Sequence, residues 1–152
     1  MLKRIFTFMI CFLPWLLSGL LFSSNLGFYK ILNKPFFALP SFLFGPVWTI
    51  LYILIALSIT ILISSNYIKY ETEYKKSLLS NYVFNQLFLF CFFSLKSVFL
   101  GFIDSILILI TSLFLYYETK ELNKKAAWAL LPYIFFNFYA VILSLTIYFM
   151  NL

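Results

Sequence analysis

The chain has 152 residues, 64% hydrophobic, 23% aromatic and only 11% charged, a balance that excludes a soluble single domain and makes the bilayer its solvent. The net charge of +6 comes from Lys and Arg residues that stand between or outside the apolar runs, which assigns them to lipid headgroups and excludes nucleic acid as a partner. Histidine is missing altogether, so zinc sites, Ser-His-Asp triads and His-ligated haem are excluded, while Cys11 and Cys91, both in apolar surroundings, offer no disulfide framework.

The first apolar run, 5–22, follows Lys3 and Arg4 and imitates a secretory signal. Its length, the interruption by Pro14 and Trp15, and the weak cleavage candidate Ser23, Ser24, Asn25 favour a retained first helix. A loop rich in turn formers (Asn25, Gly27, Asn33, Pro35, Pro40) leads to a second run over 42–64, with Pro46 in its first turns, where a missing N–H is tolerated. The mixed-charge stretch from Ser65 to Lys76, which includes Lys69, separates it from a third run over 77–95. Lys96 alone divides this from a fourth run over 97–117, so the two read as an antiparallel hairpin. A last polar loop, 118–125, precedes a fifth run over 126–149. The expectation is an all-α membrane protein, a single five-helix transmembrane bundle over 1–152. Eight of the eleven basic residues fall at the amino terminus and in the second and fourth loops, which puts the amino terminus in the cytoplasm and the carboxyl terminus outside.

Polar side chains inside apolar runs must find partners, so they are the informative positions. Asn81 and Asn85 lie one turn apart on the third run, with Phe88 and Phe92 continuing their stripe and Tyr82 and Gln86 on its flank. They read either as interhelical glue or as part of a ligand site. Asp104, the only acid in an apolar run, must be neutralised by a proton, hydrogen-bonded, or turned toward an internal cavity, and Ser105 lies beside it. Tyr133, Asn137, Ala140 and Ser144 form a stripe of small and hydrogen-bonding residues on the fifth run. Trp48 and Tyr52, one turn apart, read equally well as an interfacial aromatic belt or as pocket wall.

The stretch from Lys34 and Pro35 through Pro40 to Phe44, Gly45, Pro46, Val47, Trp48, Thr49, Ile50, Leu51 and Tyr52 resembles the loop-to-second-helix signature of the translocator protein family (TspO/MBR, tryptophan-rich sensory proteins or peripheral benzodiazepine receptors). Asn81, Asn85 and Gln86, with Leu130, Leu131, Pro132 and Tyr133, are supporting matches. The resemblance implies a five-helix bundle, usually a homodimer, with a cavity opening toward the first loop. It also implies a ligand of the porphyrin or haem type, with sterols or benzodiazepine-site drugs as other family ligands, and no required cofactor. Carried over by position, the pocket would be lined by Tyr29, Trp48, Tyr52, Asn81, Asn85, Gln86, Phe88, Asp104, Ser105, Phe136, Ala140 and Ser144. Phe37, Leu39 and Phe136 replace a tryptophan, a proline and a tryptophan of the family pattern. Phenylalanine still stacks on a macrocycle but lacks the indole N–H and its easier oxidation, which weakens any expectation of porphyrin breakdown.

The expected function is therefore that of a membrane receptor which binds, and thereby senses or regulates, tetrapyrroles. Transport of porphyrins or other small hydrophobic molecules and enzymatic degradation of porphyrin are the alternatives. Broken-helix pairs and repeated halves suited to alternating access are not visible in the sequence, nor is a base or metal site for turnover.

Overall fold

A computed structural model describes residues 2–17, 27–65 and 71–152. Helix α1 (Leu2–Phe12) tightens into a 3-10 turn over Leu13–Leu16, where Pro14 cannot supply an N–H to continue the α-helical ladder. A short helix α2 (Gly27–Ile31) leads to α3 (Ser41–Ser64), and α4 (Thr72–Leu89) widens into a π-helical turn over Phe90–Ser94. The bundle closes with α5 (Val98–Leu122) and α6 (Lys124–Met150). Four of these segments, of 24, 23, 25 and 27 residues, are apolar and long enough to cross a bilayer, and Arg4–Leu16 is a shorter apolar helix. The chain is an all-α membrane protein, a bundle of five apolar helices, with no strand among the described residues.

The helix ends depart from the limits of the hydrophobic runs. Helix α4 begins at Thr72, not at residue 77, and α5 continues to Leu122, not to 117. Hydropathy reports where side chains leave hydrocarbon, whereas a helix keeps its own backbone hydrogen bonds on into the headgroup layer. There Glu73 and Lys76 form an exposed 2.8 Å ion pair. The expected 118–125 loop shrinks to Asn123, whose Oδ1 accepts from the N–H groups of Lys125 and Ala126 at 2.9 and 3.1 Å and so caps α6. Lys96, with φ of 51°, makes the tight α4–α5 turn, and Ser97 Oγ accepts from Leu100 N at 3.2 Å to start α5. The end of the first run (18–22), Ser23, Ser24, Asn25 and Lys69 lie outside the described residues.

The polarity of the bundle is that of a membrane protein. Phe6, Phe114, Trp128 and Phe135 point outward, while Asn81, Asn85, Asp104 and Asn137 are buried. Helix α5 packs along both α4 and α6, and α3 packs on α1 and α6. Gly101 leaves room for Phe92: a Cβ there would lie 2.5 Å from Cδ2 of that ring.

Candidate ligand-binding cavity

A cavity of about 370 Å³ lies within the bundle, lined by α3, α4 with its π turn, α6, the end of the α1 segment, and α2. Two runs of rings form much of its surface. Trp15, Tyr52, Trp48, Phe136 and Tyr139 follow one another at centroid separations of 5.4 to 5.5 Å. Phe44, Tyr29, Phe92 and Phe88 follow at 5.1, 6.5 and 5.7 Å, and the Phe88 and Phe92 planes are 5° from parallel. The π turn matters here because its wider winding brings consecutive side chains closer in direction, so that both Phe92 and Phe93 are buried. Among the described residues no charged side chain lines the space. Flat apolar surface is what such walls can cover.

One amide reaches the cavity. Asn85 Nδ2 donates to the Asn81 carbonyl and to Tyr133 Oη, each at 2.7 Å. Because a backbone carbonyl can only accept, this bond fixes which end of the amide is nitrogen. Asn85 Oδ1 is buried and accepts no hydrogen bond from the described residues. It is a natural acceptor for a ligand N–H or O–H.

The segment between α2 and α3 is held against cavity-lining residues by specific bonds. Tyr29 Oη donates to the Leu39 carbonyl at 2.9 Å; Tyr139 Oη accepts from Leu39 N and donates to the Phe37 carbonyl, both at 3.0 Å. Lys34 Nζ donates to the carbonyls of Tyr29, Lys30 and Leu32 at 3.0, 3.2 and 2.6 Å and lies 5.2 Å from the centre of the Tyr29 ring, so its charge ties off α2 and is not offered to the cavity. Asn33 and Asn151 exchange backbone and side-chain bonds at 2.9 Å, fastening the segment to the end of α6. Burial, aided by neighbouring Tyr139, pushes the Tyr29 phenol up to about 12.

Of the twelve residues expected at the site, Tyr29, Trp48, Tyr52, Asn85, Phe88, Phe136, Ala140 and Ser144 line this cavity, and Asn81, Gln86, Asp104 and Ser105 do not. Asn81 is fully buried and its amide is engaged elsewhere: Nδ2 donates to Thr111 Oγ1 at 3.0 Å and the Ile108 carbonyl at 3.3 Å, and Oδ1 accepts from Tyr133 Oη at 3.0 Å. It joins α4 to α5 and α6. Gln86, one residue beyond Asn85, is rotated off the cavity stripe. Helix α5 lies behind α4 and α6 and contributes nothing to the lining, which removes Asp104 and Ser105 together. Ser105 still touches the wall indirectly, through a 2.8 Å hydrogen bond to Ser144. The side-chain oxygen Oδ2 of Asp104 is buried without a hydrogen bond among the described residues.

The cavity also contains Trp15, Phe93 and Tyr139, for which the sequence offered no pattern, together with Phe44, one turn before Trp48 in the signature stretch, Phe92 and Ile147. Phe92 continues the Asn81–Asn85–Phe88 stripe, and Ile147 extends the Ala140–Ser144 stripe by three residues, so both had a signal. No cluster of three or more His, Cys, Asp or Glu that could hold a metal ion is found among the described residues.

The profile of the TspO/MBR family matches residues 6–150. The chain is 37% identical over 149 residues to the tryptophan-rich protein TspO of Bacillus cereus, covering 98% of this chain and 97% of the relative. An uncharacterized membrane protein of Bacillus subtilis, YtaB, is 33% identical over 95% of this chain and 94% of its own length. The tryptophan-rich protein TspO of Archaeoglobus fulgidus is 31% identical over 81% of this chain and 79% of its own.

Proposed function

Because this chain belongs to the TspO/MBR family of membrane proteins, we propose that it is a receptor that holds a flat, apolar, tetrapyrrole-type ligand inside the bundle and so reports or regulates the level of that ligand. The observation that carries this reading is the aromatic cavity itself, with the Asn85 amide in its wall and no charged lining residue among those described. Stacking on Trp48, Phe136, Phe88 and Phe92 and removal of ligand surface from contact with lipid and water supply the affinity. Asn85 sets the orientation by accepting from a ring N–H. Charged ligand substituents belong at the mouth, since the interior offers them no counter-ion.

In this mode of binding affinity comes from stacking and burial of the macrocycle, with no histidine in the protein to ligate iron. Titration of purified protein with a metal-free porphyrin and with haem, followed by tryptophan quenching, is expected to give affinities within about a factor of three. A strong preference for haem counts against the proposal. Trp48→Ala is expected to weaken porphyrin binding by about tenfold while the protein stays folded. An unchanged affinity would return Trp48 to the role of interfacial anchor. Recovery of the porphyrin chemically unchanged after illumination separates binding from degradation, and sealed vesicles loaded with porphyrin separate it from transport. The homodimer and the cytoplasmic amino terminus belong to the same proposal, tested by the mass of the purified complex and by labelling from either side of the membrane.

A further inference from the structure

A second depression lies at the opposite end of α3 from Trp48 and shares no residue with the aromatic cavity. It is a groove of about 460 Å³ between α1 and α3. Its floor is apolar, built from Ile5 and Phe8 on one side and Leu57 and Ile61 on the other, and its end carries Arg4 and Ser64. Polarity therefore changes along the groove from hydrocarbon to guanidinium over the first turns of α1, which is the polarity profile of a phospholipid.

From this geometry we infer that the α1–α3 groove binds one anionic phospholipid, its phosphate on Arg4 and an acyl chain along Phe8, Leu57 and Ile61. Arg4 is exposed and forms no ion pair among the described residues, where the single salt bridge is Lys76 with Glu73. The hydroxyls of Thr60 and Ser65 are spent on the Ala56 and Ile61 carbonyls, at 2.7 and 2.9 Å, so Arg4 is the principal donor at the rim. A guanidinium presents a planar fork that pairs with two phosphate oxygens at once. The topology brings the amino-terminal ends of α1, α4 and α6 and the carboxyl-terminal end of α5 to this same face, with Lys75, Lys76, Lys120, Lys124 and Lys125. Charge complementarity selects an anionic over a zwitterionic headgroup, and the apolar floor selects an amphiphile over a free phosphate ion.

The test is native mass spectrometry of the full chain released from mixed micelles containing equal phosphatidylglycerol and phosphatidylcholine. One retained phosphatidylglycerol per chain is expected, with phosphatidylcholine several-fold less. Arg4→Gln should lower that occupancy about fivefold, the effect of one basic residue near an anionic surface, and Arg4→Lys should fall between. Lys125→Gln, which removes a charge from the same face but not from the groove, should leave occupancy unchanged. Leu57→Trp, which fills the groove, should abolish retention of either lipid. Equal retention of both lipids, retention unaltered in Arg4→Gln, or an equal loss in Lys125→Gln overturns the inference, the last by reducing the effect to general surface charge. Porphyrin titration of Arg4→Gln should match the unsubstituted chain, which keeps this test separate from that of the aromatic cavity.

Discussion

Tyr133→Phe isolates the hydrogen-bond junction behind the cavity wall. Tyr133 is fully buried, and its hydroxyl accepts from Asn85 Nδ2 at 2.7 Å and donates to Asn81 Oδ1 at 3.0 Å. Removing it deletes two bonds between α4 and α6 while leaving the ring in place. Neither partner is stranded, because Asn85 Nδ2 still donates to the Asn81 carbonyl and, at 3.3 Å, to Asn81 Oδ1. The large penalty for an orphaned buried group therefore does not apply. Interhelical bonds in membranes average about 0.6 kcal/mol and reach about 1.7, so the loss of two short ones should cost about 1 to 2 kcal/mol. Reversible unfolding in mixed detergent micelles reads this directly. A double-mutant cycle with Asn85→Ala should show a coupling of at least about 0.5 kcal/mol. A change below about 0.3 kcal/mol, or a gain in stability, would refute the description of this junction as an interhelical clamp.

Three further outcomes follow from the same packing. Asn137 is buried, and its amide atoms make no well-formed hydrogen bond to the described residues although Tyr133 lies within its reach, so Asn137→Leu should be neutral or stabilising by up to about 1 kcal/mol in the same unfolding assay; a loss above about 1 kcal/mol would mean that the amide holds a partner, Tyr133 or an ordered water, that leucine cannot. Gly101→Ala places a methyl against the body of the Phe92 ring, which must shift as a whole, and should cost about 1 to 3 kcal/mol; porphyrin affinity should fall with it, because Phe92 lines the cavity. With its phenol pushed up to about 12 by burial, Tyr29 favours the folded state when neutral. Its contribution is complete below about pH 10, the ordinary tyrosine value, and is lost as pH climbs from there to about 12. The loss follows because burial, with Tyr139 nearby, disfavours the charged phenolate, which also can no longer donate to the Leu39 carbonyl. Tyr29→Phe should flatten that part of the stability profile, and a profile identical to the unsubstituted chain would contradict the bond.

What could be read from the sequence was set by hydrocarbon. The spans were legible because every residue inside the bilayer answers to one solvent, and the Asn85–Phe88 and Ala140–Ser144 stripes were legible because helical spacing keeps their members on one face. The ends of α4 and α5 were not, since Glu73, Lys76, Lys120 and Glu121 leave hydrocarbon without leaving the helix. Periodicity also cannot say which neighbour a polar face meets. Asn81 and Asn85 look equivalent in sequence, yet Asn81 turns toward Ile108 and Thr111 while Asn85 reaches the cavity. The family resemblance places Asp104 in the pocket, while its position in a span leaves a proton, a hydrogen bond or a cavity equally open; its helix contributes no residue to the lining. Trp15 follows Pro14 in an irregular turn with no period to extend, and it nevertheless packs on both Tyr52 and Tyr82.

Ala140→Trp examines the interior cavity as a binding site most directly. Ala140 lines it and is itself only partly buried, so an indole at this position would occupy the ligand's space with little core packing to disturb. Metal-free porphyrin affinity is expected to fall at least tenfold, about 1.4 kcal/mol, with a melting temperature close to that of the unsubstituted protein. Undiminished affinity in a folded Ala140→Trp protein would mean that porphyrin binds elsewhere.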